Sequence, residues 1–154
     1  MILLDYSTAI NQICRIISQN KNIEDSLQEI VDFLYTNFEK YSWVGIYFIK
    51  DDTLILGPWK GTSATEHTSI PIGFGICGAA AKTGKTEVIA DVSKDDRYLS
   101  CFISTRSEIV VPIKKQGVVV GEIDIDSDSA NAFTSSDTIF LESVADILVA
   151  KNLI

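Results

Sequence analysis

The stretch Ser107-Glu108-Ile109-Val110-Val111-Pro112-Ile113, then Lys114-Lys115-Gln116-Gly117, then Val118-Val119-Val120-Gly121-Glu122-Ile123-Asp124-Ile125 decides the fold. Two β-rich runs flank a short polar break that ends in glycine, which is the signal of a hairpin. Pro112 has no amide hydrogen to give to a neighbouring strand, so its strand is predicted to have a free edge there. In the second run Ile123 and Ile125 alternate with Asp124 and Asp126. The isoleucines therefore share one face and the carboxylates the other.

Working toward the N-terminus, Trp43, Gly45, Tyr47 and Ile49 alternate with Val44, Ile46 and Phe48, leaving both faces largely apolar, as in a central strand. Asp51 and Asp52 supply a polar turn, Thr53 to Leu56 reads as the returning arm, and Gly57-Pro58 is expected to close it. Residues 60–75 read as loop, with a short extended piece around Ser69 to Ile72. Gly73 and Gly75 then bracket the entry to a short helix containing Ile76, Cys77 and Ala79 to Ala81, which Gly84 ends. Thr86 to Val92 is a further strand, and Ser93 to Thr105 a polar loop with at most one helical turn.

Helices close both ends. Ile10, Ile13, Cys14, Ile16 and Ile17 share one helical face, which makes Cys14 a core residue. A second helix starts after Asn22 and carries Ile23, Leu27, Ile30, Val31, Leu34 and Phe38. The last starts after Thr134, with Asp137 in its first turn and Ile139, Phe140, Val144, Ile147, Leu148 and Leu153 as its buried stripe. Sequential hairpins with helices at each end imply an α+β fold, a central antiparallel sheet in one domain over residues 1–154.

The chain has 154 residues and a formal charge of -8, from 21 acidic and 13 basic side chains. Dispersed acidity disfavours nucleic acid, whose phosphates would be repelled. The apolar runs fall far short of the roughly 20 residues that cross a bilayer. Three cysteines, Cys14, Cys77 and Cys101, do not form a secreted disulfide framework, and no signal peptide precedes Tyr6, so a cytoplasmic location is expected. The terminal helices leave a homodimer open.

A reactive cysteine must be reachable and able to ionise. Cys101 lies in the polar loop near Arg97 and Arg106, either of which would favour a thiolate if it points inward; taken alone, the segment reads first as holding an inert loop cysteine. Cys77 stands at a helix start, where free N–H groups and the dipole lower a thiol pKa, although its small neighbours suit packing. Asp124 and Asp126 share a strand face. Under cover one of them should have a raised pKa and act as a proton donor, whereas on an open face they are ordinary acids. Glu108 could join them across the hairpin, making a three-carboxylate cluster suited to an ammonium group, with a hard metal cation as the competing occupant. One histidine, His67, and no close Cys/His set argue against a transition metal.

Taken together, Trp43-Val44-Gly45-Ile46-Tyr47, Leu56-Gly57-Pro58-Trp59-Lys60-Gly61, Ile76-Cys77-Gly78, Ser107 to Ile113 and Asp124-Ile125-Asp126-Ser127 resemble one family, the free methionine-(R)-sulfoxide reductases of GAF-domain type. The resemblance implies a GAF fold with N- and C-terminal helices on one face of the sheet and a ligand pocket on the other. It also implies roles. Cys101 matches the catalytic cysteine and Cys77 the cysteine of a Val-Cys-Gly-like motif. Glu108, Asp124 and Asp126 match the substrate-binding carboxylates, and Trp43 and Tyr47 the aromatics near the methyl-sulfur end.

The implied reaction has the Cys101 thiolate attack the sulfoxide sulfur while a protonated Asp126 or Glu108 donates to the departing oxygen. The sulfenic acid on Cys101 is then reduced by Cys77, or by an outside thiol such as thioredoxin or a small thiol. No bound cofactor or metal is expected. The family's usual resolving cysteine falls at Thr65 or His67, depending on register, and Tyr98-Leu99-Ser100-Cys101-Phe102 replaces its His-Ile-Ala-Cys-Asp. The alternative is a non-catalytic GAF module that binds a small ligand as a sensor.

Overall fold

β-branched and aromatic residues at alternating positions build a six-stranded sheet in the computed structural model, which describes residues 4–20, 22–100 and 102–154. The strands are β1 (Trp43–Lys50), β2 (Thr53–Gly61), β3 (Ser69–Pro71), β4 (Glu87–Ile89), β5 (Ser107–Lys115) and β6 (Val118–Ser127). Their order is β3-β2-β1-β6-β5-β4, and all five pairings are antiparallel. β1 is central, as its two apolar faces require. Two-residue turns close both hairpins, with positive φ at Asp51 and Asp52 and at Gln116 and Gly117, the twist that antiparallel neighbours favour.

Pro112 sits opposite Glu122 on β6, while β4 stops at Glu87 opposite Val110, so the other edge of Pro112 meets no strand. That agrees with its missing amide. Gly57-Pro58, in contrast, does not end the returning arm. β2 continues to Gly61, and the register shifts there, with Gly45 opposite Trp59 but Tyr47 opposite Leu56. The pair is absorbed as a bulge, which removes the need for the proline to donate to the ladder.

Helices α1 (Tyr6–Gln19), α2 (Ile23–Asn37) and α4 (Ser135–Ala150) cover one face of the sheet, and α3 (Gly75–Thr83) lies on the other. Asn22 caps α2 by accepting from the Asp25 amide at 2.8 Å, and Thr134 and Asp137 form a reciprocal capping box on α4. Gly84, with φ 69°, ends α3. The polar loop contains one short 3₁₀ turn, Val92–Lys94.

The strand alternation sorts two cores. Val44, Ile46, Ile109, Val111, Ile123 and Ile125 face α1, α2 and α4. Trp43, Tyr47 and Val110 face α3 with Ile76, Cys77 and Ala80. Ile139 is 67% exposed, Ile23 is 48% exposed and Cys14 is only half-buried, unlike their expected places. These positions stand at the margin of an apolar stripe, where periodicity does not say how far the covering layer reaches. Among the described residues no helix is long and apolar enough to cross a membrane.

Candidate active site

The carboxylate face of β6 is covered, not open. Asp124 and Asp126 are buried, as is Glu108, which pairs with Asp126 across the β5–β6 ladder. Glu122, two residues before Asp124, continues the same row and is 0% exposed. β1 brings Tyr47, Gly45 and Trp43 opposite Glu122, Asp124 and Asp126 in that order. α3 roofs the row and drives Cys77 into it; the Cys77 thiol approaches Glu108 Oε1 at 3.8 Å.

No Lys, Arg or His is among the buried described residues, so four acids and a thiol share a buried space without a cationic side chain. Both oxygens of Glu122, Oδ1 of Asp124 and Oδ1 of Asp126 have no hydrogen-bond partner. Burial raises Glu122 well above the ordinary carboxylate range, and nearby Asp124 adds to this, while the Cys77 thiol pulls the other way. Asp126 is raised for the same first reason, then by Asp124 and Asp128. Burial raises Asp124 too, opposed by hydrogen bonds from Glu108 and Cys77, which makes it the member of the row best able to hold a charge. The result is a row of acids in which burial favours the protonated form, opposed by hydrogen bonds at Asp124.

The expectation that a helix start lowers the Cys77 thiol pKa is reversed. Burial pushes it well up, and Asp124, Glu122, Glu108 and Asp126 push it further. A helix terminus contributes partial charge only, and here four carboxylates outweigh it.

Trp43 lies over the glycine positions of its own sheet, because a Cβ at Gly45 or Gly61 would run into its indole ring. It stacks on Trp59 at 6.3 Å between ring centroids and tilts against Phe102 at 5.9 Å. Its indole N–H is buried without a partner. The Tyr47 hydroxyl donates to the His67 carbonyl at 2.7 Å, and the His67 amide donates to the Thr65 hydroxyl at 3.1 Å. The loop carrying both of these positions thus borders the site.

Two cavities meet this arrangement. An inner one of about 10 Å³, close to the smallest space that holds a single water, touches Tyr47, Cys77, Leu99, Glu108 and Asp124. An outer one of about 870 Å³ opens beside Trp43, Thr62, Phe102 and Asp126. Donor atoms of Cys77, Glu108 and Asp124 lie within 4.8 Å of one another. One thiol among carboxylates, without imidazole, is too soft a set for Mg²⁺ or Ca²⁺ and too poor in sulfur and nitrogen to select zinc; it suits an organic cation better. Cys101 lies outside the described residues. Arg97, a candidate neighbour for its charge, is held by Glu87 at 3.0 Å and Asp95 at 2.8 Å.

A curled antiparallel sheet, terminal helices behind it and a small-molecule pocket in front define the GAF class. The GAF domain model matches residues 22–150, and the chain belongs to that family. Within it, the chain is 38% identical over 133 residues to Protein YtsP of Bacillus subtilis, covering 81% of this chain and 80% of that protein. It is also 38% identical over 104 residues to the free methionine-R-sulfoxide reductase of Escherichia coli, covering 68% of this chain and 62% of that one. The structure of free methionine-R-sulfoxide reductase from Neisseria meningitidis in complex with its substrate superposes with a TM-score of 0.88 at 32% identity, covering 95% of this chain and 87% of that chain.

Glu122 was missed by sequence reasoning although its signal was present. It is the next same-face position after Asp124 and Asp126, and only its isolation from the other quoted motifs hid it.

Proposed function

We propose that this protein reduces free L-methionine (R)-sulfoxide to methionine with Cys101 as nucleophile. The single observation that carries the reading is the row of buried, partly unpartnered carboxylates with no cationic side chain among them. Such a row needs a cation from outside, and the substrate ammonium supplies one. Glu108 and Asp124 line the inner cavity, which has room for an ammonium group and little else. The sulfoxide would then lie toward the outer cavity, beside Trp43 and Asp126.

In the first step the Cys101 thiolate attacks the sulfoxide sulfur and protonated Asp126 gives its proton to the oxygen. The hydroxyl then passes to the Cys101 sulfur as the newly formed S–S bond and the substrate S–O bond break, so methionine leaves and Cys101 carries a sulfenic acid. Asp126 supports this role through its raised affinity for a proton. Leu99 and Phe102, close to Cys101 in sequence, border the inner and outer cavities respectively, which supports attack from this loop. Recycling then uses Cys77 as resolving thiol, or an external thiol such as thioredoxin.

The test is to incubate the protein with racemic free methionine sulfoxide and dithiothreitol and to measure methionine by chromatography. Conversion should stop near half of the racemate, and Cys101→Ser should lower the rate by at least about 10³-fold, since a hydroxyl is a far weaker nucleophile than a thiolate. No methionine from the parent, or substantial turnover by the serine variant, would refute the reading.

A further inference from the structure

The outer cavity is far larger than the methyl group that methionine sulfoxide would bring to it. It holds about 870 Å³, whereas an apolar space of about 150 Å³ already takes up benzene. Its wall beside Asp126 is aromatic. Trp43 is 3% exposed, lies against Gly45 and Gly61, stacks on Trp59 and meets Phe102, which lines the cavity with it. Tyr35 and Tyr41 line it as well. Its charged lining residues are Glu39, Asp126 and Asp128, and among the described residues no Lys, Arg or His borders it. Phe102 replaces the aspartate of the family motif, so this wall belongs to this chain in particular.

We propose that the outer cavity is the subsite for the sulfur substituent, and that the protein acts on free amino acid sulfoxides whose S-group is apolar and larger than methyl, an aromatic ring above all. This rests on the reductase reading. The sheet register supplies the reach. Asp124 borders the inner cavity and Asp126 the outer. They are two residues apart on one face of β6, a step of about 6.5 Å along the strand. An ammonium held at Glu108 and Asp124 thus brings the sulfur of a homocysteine-type sulfoxide to the rung where Trp43 faces Asp126. Whatever the sulfur carries beyond that rung meets the aromatic wall.

A methyl group would leave most of this space to water. A ring would bury its surface against Trp43 and Phe102, at about four-fold in affinity for each buried CH₂ equivalent, with the ring contacts adding to this. Trp43 is already held by two glycines and Trp59, so little side-chain freedom is lost when the ligand arrives. A negatively charged substituent would instead meet three acids and no cation, which makes the subsite selective as well as roomy. The chemistry is that proposed for methionine sulfoxide: the oxygen passes to the attacking cysteine, the sulfoxide leaves as its thioether, and an outside thiol supplies the two electrons.

Binding can be read without turnover, because Trp43 and Trp59 are the two tryptophans of the chain and intrinsic fluorescence reports on the wall itself. The full chain is titrated with three thioethers, methionine, S-benzyl-L-homocysteine and S-(2-carboxyethyl)-L-homocysteine, with calorimetry as a second readout. The benzyl compound should bind at least about ten-fold tighter than methionine, and the carboxyl compound more weakly than methionine. Phe102→Ala should cut the preference for benzyl over methyl by about five-fold, the scale of one aromatic pair, and Phe102→Leu should restore part of it by keeping apolar bulk. Thermal unfolding shows whether each variant is folded. With dithiothreitol, the kcat/KM values of the benzyl and methyl (R)-sulfoxides should follow the same order. Benzyl binding no tighter than methionine binding, or an unchanged preference in folded Phe102→Ala, overturns the proposal while methionine formation from its sulfoxide keeps the reductase reading. A ring preference that depends on Phe102, in a protein that reduces neither sulfoxide, supports the subsite and overturns the reductase reading.

Discussion

Two places in this molecule bury acids, and they do so in opposite ways. On the helical side of the sheet, Asp137 accepts from the Tyr6 hydroxyl at 2.9 Å, the Tyr41 hydroxyl at 2.7 Å, the Thr134 amide at 2.8 Å and the Thr134 hydroxyl at 3.0 Å. It ties α1, the approach to β1 and the start of α4 together. The phenols answer to it: burial first, then Asp137, pushes Tyr6 up to about 12, and Tyr41 rises for the same causes. On the other side, Glu122, Asp124 and Asp126 are as deeply buried, yet keep oxygens without partners. A satisfied buried acid holds a fold together. An unsatisfied row waits for a ligand or a proton.

The largest expected effect sharpens that contrast from the structural side. Asp137→Ala strands two phenol hydroxyls and a helix cap, and should lower stability by about 3–5 kcal/mol, in the range for removing the acceptor of several buried bonds. Urea and thermal unfolding would show it. A variant as stable as the parent but inactive would break the comparison, because Asp137 would then belong with the functional acids.

Next comes Asp126→Asn. It removes the proposed proton donor and should lower turnover about 10²–10⁴-fold, the usual contribution of general acid catalysis, with no loss of unfolding midpoint. Steady-state kinetics beside thermal unfolding would check both halves. Loss of stability without loss of turnover would place Asp126 with Asp137 instead.

The smallest of the three is a pH effect on stability. Glu122, Asp124 and Asp126 are raised in the folded chain above the ordinary carboxylate value of about 4 that holds when unfolded. The folded state therefore keeps protons that the unfolded state has lost. Stability from these groups is full below about pH 4 and is lost as pH rises through their folded values. Glu122→Gln should thus be more stable than the parent at pH 8, by about 1–3 kcal/mol, roughly the cost of one unsatisfied buried group, and the gap should shrink toward pH 4. Melting curves at the two pH values would reveal it, and a gap independent of pH would mean that Glu122 carries no charge-linked strain.

Much of this was legible from the chain itself. Period-two alternation fixed β1, β5 and β6 and put Asp124 and Asp126 on one face, since successive strand side chains must point to opposite sides. Asn22 and Thr134 announced two helix starts, and the quoted motifs identified the family that the GAF match over residues 22–150 now shows. Alternation assigns a face but not its cover. Only the tertiary structure decided that α3 seals the carboxylate row, that Glu122 extends it, and that the row overrides the helix start at Cys77. Only the tertiary structure, likewise, turned Asp137 from a first-turn acid into the hub of Tyr6 and Tyr41, residues 131 and 96 positions away in sequence. Local pattern is set by backbone geometry over a few residues, whereas burial, and with it the pKa of every acid named here, is a property of what distant segments bring to cover it.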